Sequence, residues 1–357
     1  MKIGIIGLPQ VGKKTLFEVL TNHKPSENEI ASKKPIKAIA EIKDSRFDRL
    51  AEAYKPKKEV RARIDIEMLP KLEKDVIAKG DIFADINELD AICHVVRAFK
   101  DDSIYHAEGS VDPKRDMEMV NSELILHDLL FIEKRIENIE QKIKRAGESE
   151  FAEEKALLTK LKAHLDKELP LHILEFTADE SKIISSYPFI TRKIMITVIN
   201  ISEEDLNEGS LISRIQKDSK LDVAYIMQVS AKVESEIAKL DSEQEREEFL
   251  KDLGIKESAV NMLAGMCIKA LKLISFFTVG QDEVRQWTVR AGSSAPVAAG
   301  AIHTDMHKGF IRAEVIKYKD FEELGSEAKI KEAGKMYLKG KDYIVEDGDM
   351  LDIRFSV

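Results

Sequence analysis

Cysteine is nearly absent from this sequence: two in 357 residues, Cys93 and Cys267, far apart and in neither a CxxC nor a zinc-knuckle spacing. A disulfide framework or a cysteine-built metal site therefore has no basis, and the pattern is that of a cytoplasmic protein. No uninterrupted apolar run approaches the ~18 residues of a membrane span, and Met1 leads straight into a strand rather than a leader peptide, so a cytoplasmic chain with no membrane partner is expected. A basic excess is missing too. With 56 Lys and Arg against 65 Asp and Glu the net charge is −9. Wholesale coating of nucleic acid is argued against, because nonspecific affinity comes mainly from basic side chains neutralising phosphates. Internal repeats and low-complexity linkers are also lacking.

What the chain has is length. At 357 residues it exceeds the roughly 250 to 300 at which a single core stops growing, so two or three domains are expected. Local basic patches remain in SKKPIK (32–37), KPKKEVRAR (55–63) and the HTDMHKGFIR stretch from His303. Such runs are ordinarily solvated surface, with polyanion binding as the alternative.

Residues 2–7, KIGIIG, read as a buried strand, and TLFEVLTN places Leu16, Phe17 and Leu20 at helical spacing. Between them lies GLPQVGKKT, Gly7 to Thr15, which nearly matches the phosphate-binding loop GxxxxGK[ST]. Gly7 and Gly12 let the backbone turn its N–H groups toward phosphate oxygens, the helix starting near Lys13 adds its dipole, and the Lys13 ammonium reaches the β and γ oxygens. The hydroxyl that should follow, to bind the nucleotide's magnesium, is replaced by Lys14. Thr15 is one residue on, about 100° around the helix, and points elsewhere. The alternative reading is a structural glycine turn that no longer binds nucleotide.

Further strands are expected around VRARIDIEML, at DAICHVVRAF, whose near-continuous apolar run suits a parallel sheet covered on both faces, at KIMITVIN (193–200) and at DVAYIMQVSA (222–231). With helices between, the pattern is α/β with a mostly parallel sheet. It is interrupted by Ile125, Leu129, Ile132, Ile136, Ile139 and Ile143, a heptad seam. RAGESE reads as a turn, and Phe151, Leu158, Leu161 and Leu165 resume the seam as the second arm of an antiparallel helical hairpin. After MCIKALKLISFFTVG come short β-like runs, ending in a hairpin around Ile344 and Val345 before EDGD, which predicts a small β-rich terminal domain. The expected division is 1–120 and 176–275 for the nucleotide-binding domain, 121–175 for the coiled-coil insertion and 276–357 for the terminal domain.

In GTPases an Asn followed by KxD at the end of a strand reads guanine. Here Asn200 is present, but Ser202 and Glu203 follow, and the guanine-selecting aspartate is missing. VSAK, Val229 to Lys232, matches the loop that closes over the base.

These strings together resemble the YchF type of Obg-like ATPases over nearly the full length: GLPxVGKxTLF at the start, DAIxHVVRxF at Asp90 to Phe99, and NxxE at Asn200 to Glu203. The segment from EVRQWTVRAGSSAPVAAGAIHTDMHKGFIRAEVI to AGKM and GKDYIVEDGD is similar to that family's TGS domain. The resemblance implies a P-loop nucleotide-binding domain with a mostly parallel sheet, an inserted coiled-coil hairpin and a small C-terminal β-rich, β-grasp-like TGS domain. It also implies ATP as ligand, with GTP accepted, and association of a monomer with ribosomes or RNA through the TGS domain and coiled coil. The nucleotide-contacting residues it implies are Gly7, Gln10, Val11, Gly12, Lys13, Lys14, Thr15, Asn200, Ile201, Glu203, Ser230 and Ala231. His106, in DDSIYHAEG, matches the family's water-activating histidine, and Ser32 aligns with the first-switch threonine as the candidate magnesium ligand.

The chain departs from the family on the metal and γ-phosphate side. Lys14 stands for the metal-binding hydroxyl, the second-switch DxxG reads Asp65-Ile-Glu-Met68, and the glycine-rich segment that follows is reduced to PKLEKDVIAKGD. The expected chemistry would be in-line attack of water on the γ-phosphate, with His106 positioning that water and Lys13 stabilising charge. The departures make bound Mg2+ doubtful and predict ATP hydrolysis that is slow or lost. A fully active ATPase switch and a nucleotide-independent ribosome- or RNA-binding module are the alternatives.

Overall fold

Residues 1–72, 81–146, 151–206, 208–217, 224–255 and 257–356 are described by a computed structural model. They fall into two units, Met1–Ile39 with Asp65–Met262, and Ala40–Ile64 with Leu263–Val357.

The first unit is built on strands β1 (Lys2–Ile6), β2 (Ile36–Glu41), β4 (Arg63–Met68), β5 (Ala91–Arg97), β6 (Ile194–Asn200) and β7 (Ile226–Val229), in the spatial order β2-β4-β1-β5-β6-β7. β1 runs parallel to β4 and β5, β5 to β6 and β6 to β7. All of AICHVVR in β5 is buried, as expected of a strand covered on both faces. The strand expected at 222–231 narrows to β7, with residues 222 and 223 outside the described residues. β2 falls partly in the stretch read as basic surface. It is an edge strand whose exposed residues interrupt its buried ones, so its apolar signal is weak.

The hairpin is present, and longer than its heptads announce. Its first helix is Pro113–Ala146, about 50 Å at 1.5 Å per residue, and its second is Ala152–Leu165. The expected turn at 147–150 lies outside the described residues. Ion pairs Glu133–Lys162 and Glu140–Lys155 fix the arms antiparallel. Ile125, Ile132 and Ile139 bury against Leu158, Leu161 and Leu165, and Leu171, Ile184 and Phe189 complete that core. Asp128, fully buried, accepts hydrogen bonds from the backbone N–H groups of Ile190 (3.0 Å) and Thr191 (2.8 Å) and from the Thr191 hydroxyl (2.6 Å). These bonds tie the first arm to the chain leading into β6.

The second unit holds a mixed sheet ordered β11 (Tyr337–Lys339), β10 (Phe310–Lys317), β12 (Asp349–Phe355), β8 (Leu273–Thr278), β9 (Glu283–Arg290) and β3 (Lys58–Val60). β12 and β8 are parallel at its centre, with antiparallel pairing on either side, a β-grasp-like arrangement. Residues 40–64, which the sequence places with the nucleotide domain, belong here. They supply β3 and helix α3 (Ser45–Tyr54), whose Phe47, Leu50 and Ala51 pack with Phe277, Val284 and Ile316. The unit begins at Leu263 rather than 276.

Two local expectations for the terminal segment are corrected. Residues read as β-like form the helices Ala295–Ile302 and Thr304–Lys308. The Ser294 position, Pro296 in the first turn and four alanines are helix-start chemistry. The terminal hairpin does not form either, since β11 and β12 each pair with β10, and Ile344 makes only an isolated bridge to Ser294. Asp349 explains this locally. Its carboxylate accepts from Glu346 N–H (2.9 Å), the Tyr343 hydroxyl (2.6 Å) and the Lys317 ammonium (2.9 Å), so the chain turns there before β12 starts. Among the described residues no helix is long and apolar enough to cross a membrane.

Candidate functional site: a lysine-lined cavity at the glycine loop

β1 delivers the chain to Gly7, where backbone crowding requires glycine: a Cβ there would lie 2.5 Å from the Val95 carbonyl oxygen. The loop closes at Gly12, φ +93°, which caps helix α1 (Lys13–Thr21) in the left-handed region. A Cβ on Gly12 would sit 2.2 Å from Asn200 Nδ2. That closeness has a purpose. Asn200, buried at the end of β6, donates from Nδ2 to the Val11 carbonyl (3.0 Å) and accepts at Oδ1 from the Ala231 N–H (3.0 Å). One side chain thus clips the glycine loop to the start of the helix Ala231–Ile237. Ile201 extends the β6–β7 ladder through its N–H to the Val229 carbonyl (2.9 Å), and Ser230 is buried with no hydrogen-bond partner for its Oγ. Glu203 is exposed and its carbonyl closes a turn onto Leu206 N–H.

Beside the loop opens a cavity of about 560 Å³, lined by residues 10–15, by Glu29, Ile30, Lys33 and Lys34, and by Met68 to Lys71. Lys13, Lys14, Lys33, Lys34 and Lys71 face it, and among the described residues Glu29 is the single carboxylate in its lining. A cleft lined mainly by positive charge is attractive to a polyanion. The Lys13 ammonium is buried and donates to the carbonyls of Leu69 (3.0 Å) and Pro70 (2.9 Å). The same segment is tied down by Leu69 N–H to Ile5 O (3.0 Å) and Leu72 N–H to Gly7 O (3.2 Å). Met68, at the position of the DxxG glycine, is buried in β4 opposite Ile5 and puts a thioether chain into the cavity wall.

His94 belongs to no phosphate-loop or base-reading motif in the sequence, yet it lies beside the loop strand. It sits in β5 opposite Ile6, fully buried, with Nδ1 lacking a hydrogen-bond partner. Burial, and then the Lys13 charge, push its pKa down to about 3, so it is a neutral imidazole. The available signal was a histidine inside an otherwise apolar strand beside the strand that carries the loop.

Among the described residues the donor set at the loop does not fit a magnesium ion. Lys14, where the metal-binding hydroxyl belongs, carries an ammonium, placed 3.7 Å from Glu18 Oε1. The Ser32 hydroxyl donates to the Glu29 carbonyl (2.7 Å) at the end of helix α2 (Glu27–Ala31), and Ser32 is absent from the cavity lining, although Lys33 and Lys34 are in it. Among the described residues no group of three or more His, Cys, Asp or Glu side chains is placed to hold a metal.

His106 is held elsewhere. Its Nδ1 accepts from Glu108 N–H (3.1 Å), which leaves the proton on Nε2 to be donated to Asp116 Oδ2 (3.0 Å). Arg115 takes the other carboxylate oxygen (2.8 Å). The loop itself is organised by buried Arg97, which donates to the carbonyls of Phe99, Asp101, Ile104 and Tyr105 at 3.1–3.3 Å. His106 is not among the residues lining the cavity. Of the residues expected to contact nucleotide, Gln10 to Thr15 line the cavity, Asn200 and Ala231 join the loop through hydrogen bonds without lining it, and Gly7, Ile201, Glu203, Ser230, Ser32 and His106 also lie outside the lining.

Strand order, glycine loop and a lysine at the first helical residue define the P-loop α/β class. Comparison with known proteins narrows this. Residues 273–356 match the family model YchF-GTPase_C, described as a protein of unknown function (DUF933). The chain is 39% identical to the "Ribosome-binding ATPase YchF" of Bacillus subtilis (strain 168), covering 99% of both chains. It is 38% identical to the human "Obg-like ATPase 1", covering 100% of this chain and 92% of that one. The solved "Structure of the Schizosaccharomyces pombe YchF GTPase" superposes with a TM-score of 0.84 at 32% identity, covering 99% of this chain and 97% of that one. The chain belongs to the YchF family.

Proposed function

We propose that the chain binds a purine nucleoside triphosphate, ATP with GTP accepted, at the glycine loop, and that it hydrolyses the nucleotide slowly or not at all. The observation that carries the reading is the cavity of about 560 Å³ that five lysines line together with the glycine loop at the start of α1. Phosphates placed there meet backbone N–H groups and the positive end of the helix. Lys13 changes partners, from the Leu69 and Pro70 carbonyls to phosphate oxygens, and the Asn200 clip holds the loop open while it does so.

Phosphoryl transfer by P-loop proteins rests on positioning and on charge stabilisation at the γ-phosphate. In this chain those parts are rewritten. An ammonium replaces the metal-binding hydroxyl, Met68 replaces the glycine whose N–H meets the γ-phosphate, and both nitrogens of His106 are engaged away from the cavity. Relatives carry names that record ribosome binding, and the same partner, or RNA, is proposed here for a monomer, with the second unit as the TGS domain and the 113–165 hairpin as the contacting surfaces.

Titration with labelled ATP and GTP tests the binding step: Lys13→Ala is expected to weaken affinity at least about tenfold, as loss of a charge-assisted contact does, and unchanged affinity rejects the phosphate-loop reading. Co-sedimentation with ribosomes across a salt series tests the partner, with a steep loss of binding as salt rises if basic patches carry it.

A further inference from the structure

We infer that this cavity takes its triphosphate as the metal-free anion, with Lys14 and the Lys33–Lys34 pair supplying the positive charge that a divalent cation supplies in related sites. The inference deepens the nucleotide-binding reading and rests on it. A divalent cation cancels two of the triphosphate's negative charges, and Lys14 with the Lys33–Lys34 pair brings three positive ones. Lys14 stands one residue beyond Lys13 at the start of α1, and Lys33 and Lys34 face the same cavity from the end of α2.

These ammonium groups can move onto a ligand. Lys14 is half-exposed and its Glu18 partner stands at 3.7 Å, beyond hydrogen-bond reach, an arrangement that holds a side chain weakly. Lys33 and Lys34 are exposed and have no carboxylate partner among the described residues. Glu29, the one carboxylate in the wall among the described residues, already accepts from the N–H and hydroxyl of Ser26 (2.8 and 2.7 Å), which cap α2, and pairs with His23.

The same charges act against a metal. A magnesium ion bridging the phosphates would stand beside the Lys14 ammonium with no oxygen ligand from that position, and it would have already cancelled the charge that the lysines complement. Magnesium therefore weakens binding here, the opposite of its effect at a site with a serine or threonine.

The test is titration of the full chain with mant-labelled ATP in EDTA and in excess magnesium, with inorganic tripolyphosphate as competitor. The natural chain is expected to bind at least about tenfold more tightly in EDTA, a gap that follows from two uncancelled phosphate charges beside lysines, and tripolyphosphate should compete in EDTA. Lys14→Ser should narrow or invert the gap, and Lys33→Ala/Lys34→Ala, on an exposed turn that leaves the fold alone, should lower affinity in EDTA more than in magnesium. Equal affinity in both buffers, or tighter binding with magnesium, overturns the inference while the nucleotide reading stands. No binding in either buffer removes both.

Discussion

On the Asn200 side of the glycine loop every contact is buried and directional, whereas on the Lys14 side the charges are exposed and loosely held. Asn200 meets Val11 and Ala231 at 3.0 Å each, and Gly12 is packed so closely against it that no side chain fits. Lys14, Lys33 and Lys34 are long cations around an open cavity. The difference teaches which half of the site the fold itself requires. The buried clip is expected to carry stability, and the exposed lysine wall is expected to be almost silent in it.

The largest effect should come from the rigid half. Gly12→Ala forces a left-handed residue to carry a Cβ 2.2 Å from Asn200 Nδ2; about 3 kcal/mol of stability or more should be lost in a urea titration, with nucleotide affinity lost too. Asn200→Ala leaves the Ala231 N–H and the Val11 carbonyl buried and unmatched, for about 2 kcal/mol. A loss as small as that of an exposed site would erase the contrast between the halves.

His94 lies beneath the loop and gives a pH signature. Burial and the Lys13 charge hold its folded pKa down to about 3, against 6.5 in an ordinary environment. The unfolded chain therefore takes up the proton first. Its contribution is intact above pH 6.5 and is lost as pH falls from there toward 3, at up to about 1.4 kcal/mol per pH unit. His94→Gln should flatten the fall in urea midpoint between pH 6.5 and 5 relative to the natural chain. An unchanged slope would mean that His94 is not held neutral. The smallest effect belongs to Lys14→Ala, where losing the exposed pair with Glu18 should change stability by less than about 0.5 kcal/mol.

The same contrast governs what could be read from the sequence. The glycine loop, the strands around it and the heptad seam are local patterns, and they stand where the residues put them. The helices after Ser294 are also locally coded, by Pro296 and the alanines that follow it, within a segment whose other runs are β-like. Other features depend on register between distant segments. The passage of residues 40–64 into the second unit, the Lys13 bonds to Leu69 and Pro70, and the position of His94 opposite Ile6 carry no local mark. Ser32 and His106 were named from residue type and motif position; in the structure the Ser32 hydroxyl bonds to the Glu29 carbonyl and the His106 imidazole to Asp116, partners that no local pattern marks.

The turnover number of the natural chain at saturating ATP, measured with and without magnesium, tests the central claim most directly. On the proposed reading, turnover should be no faster than the roughly 10⁻³ per second of an unassisted P-loop hydrolase, and magnesium should not raise that rate. Turnover at about 1 per second or more that depends on magnesium would contradict the account.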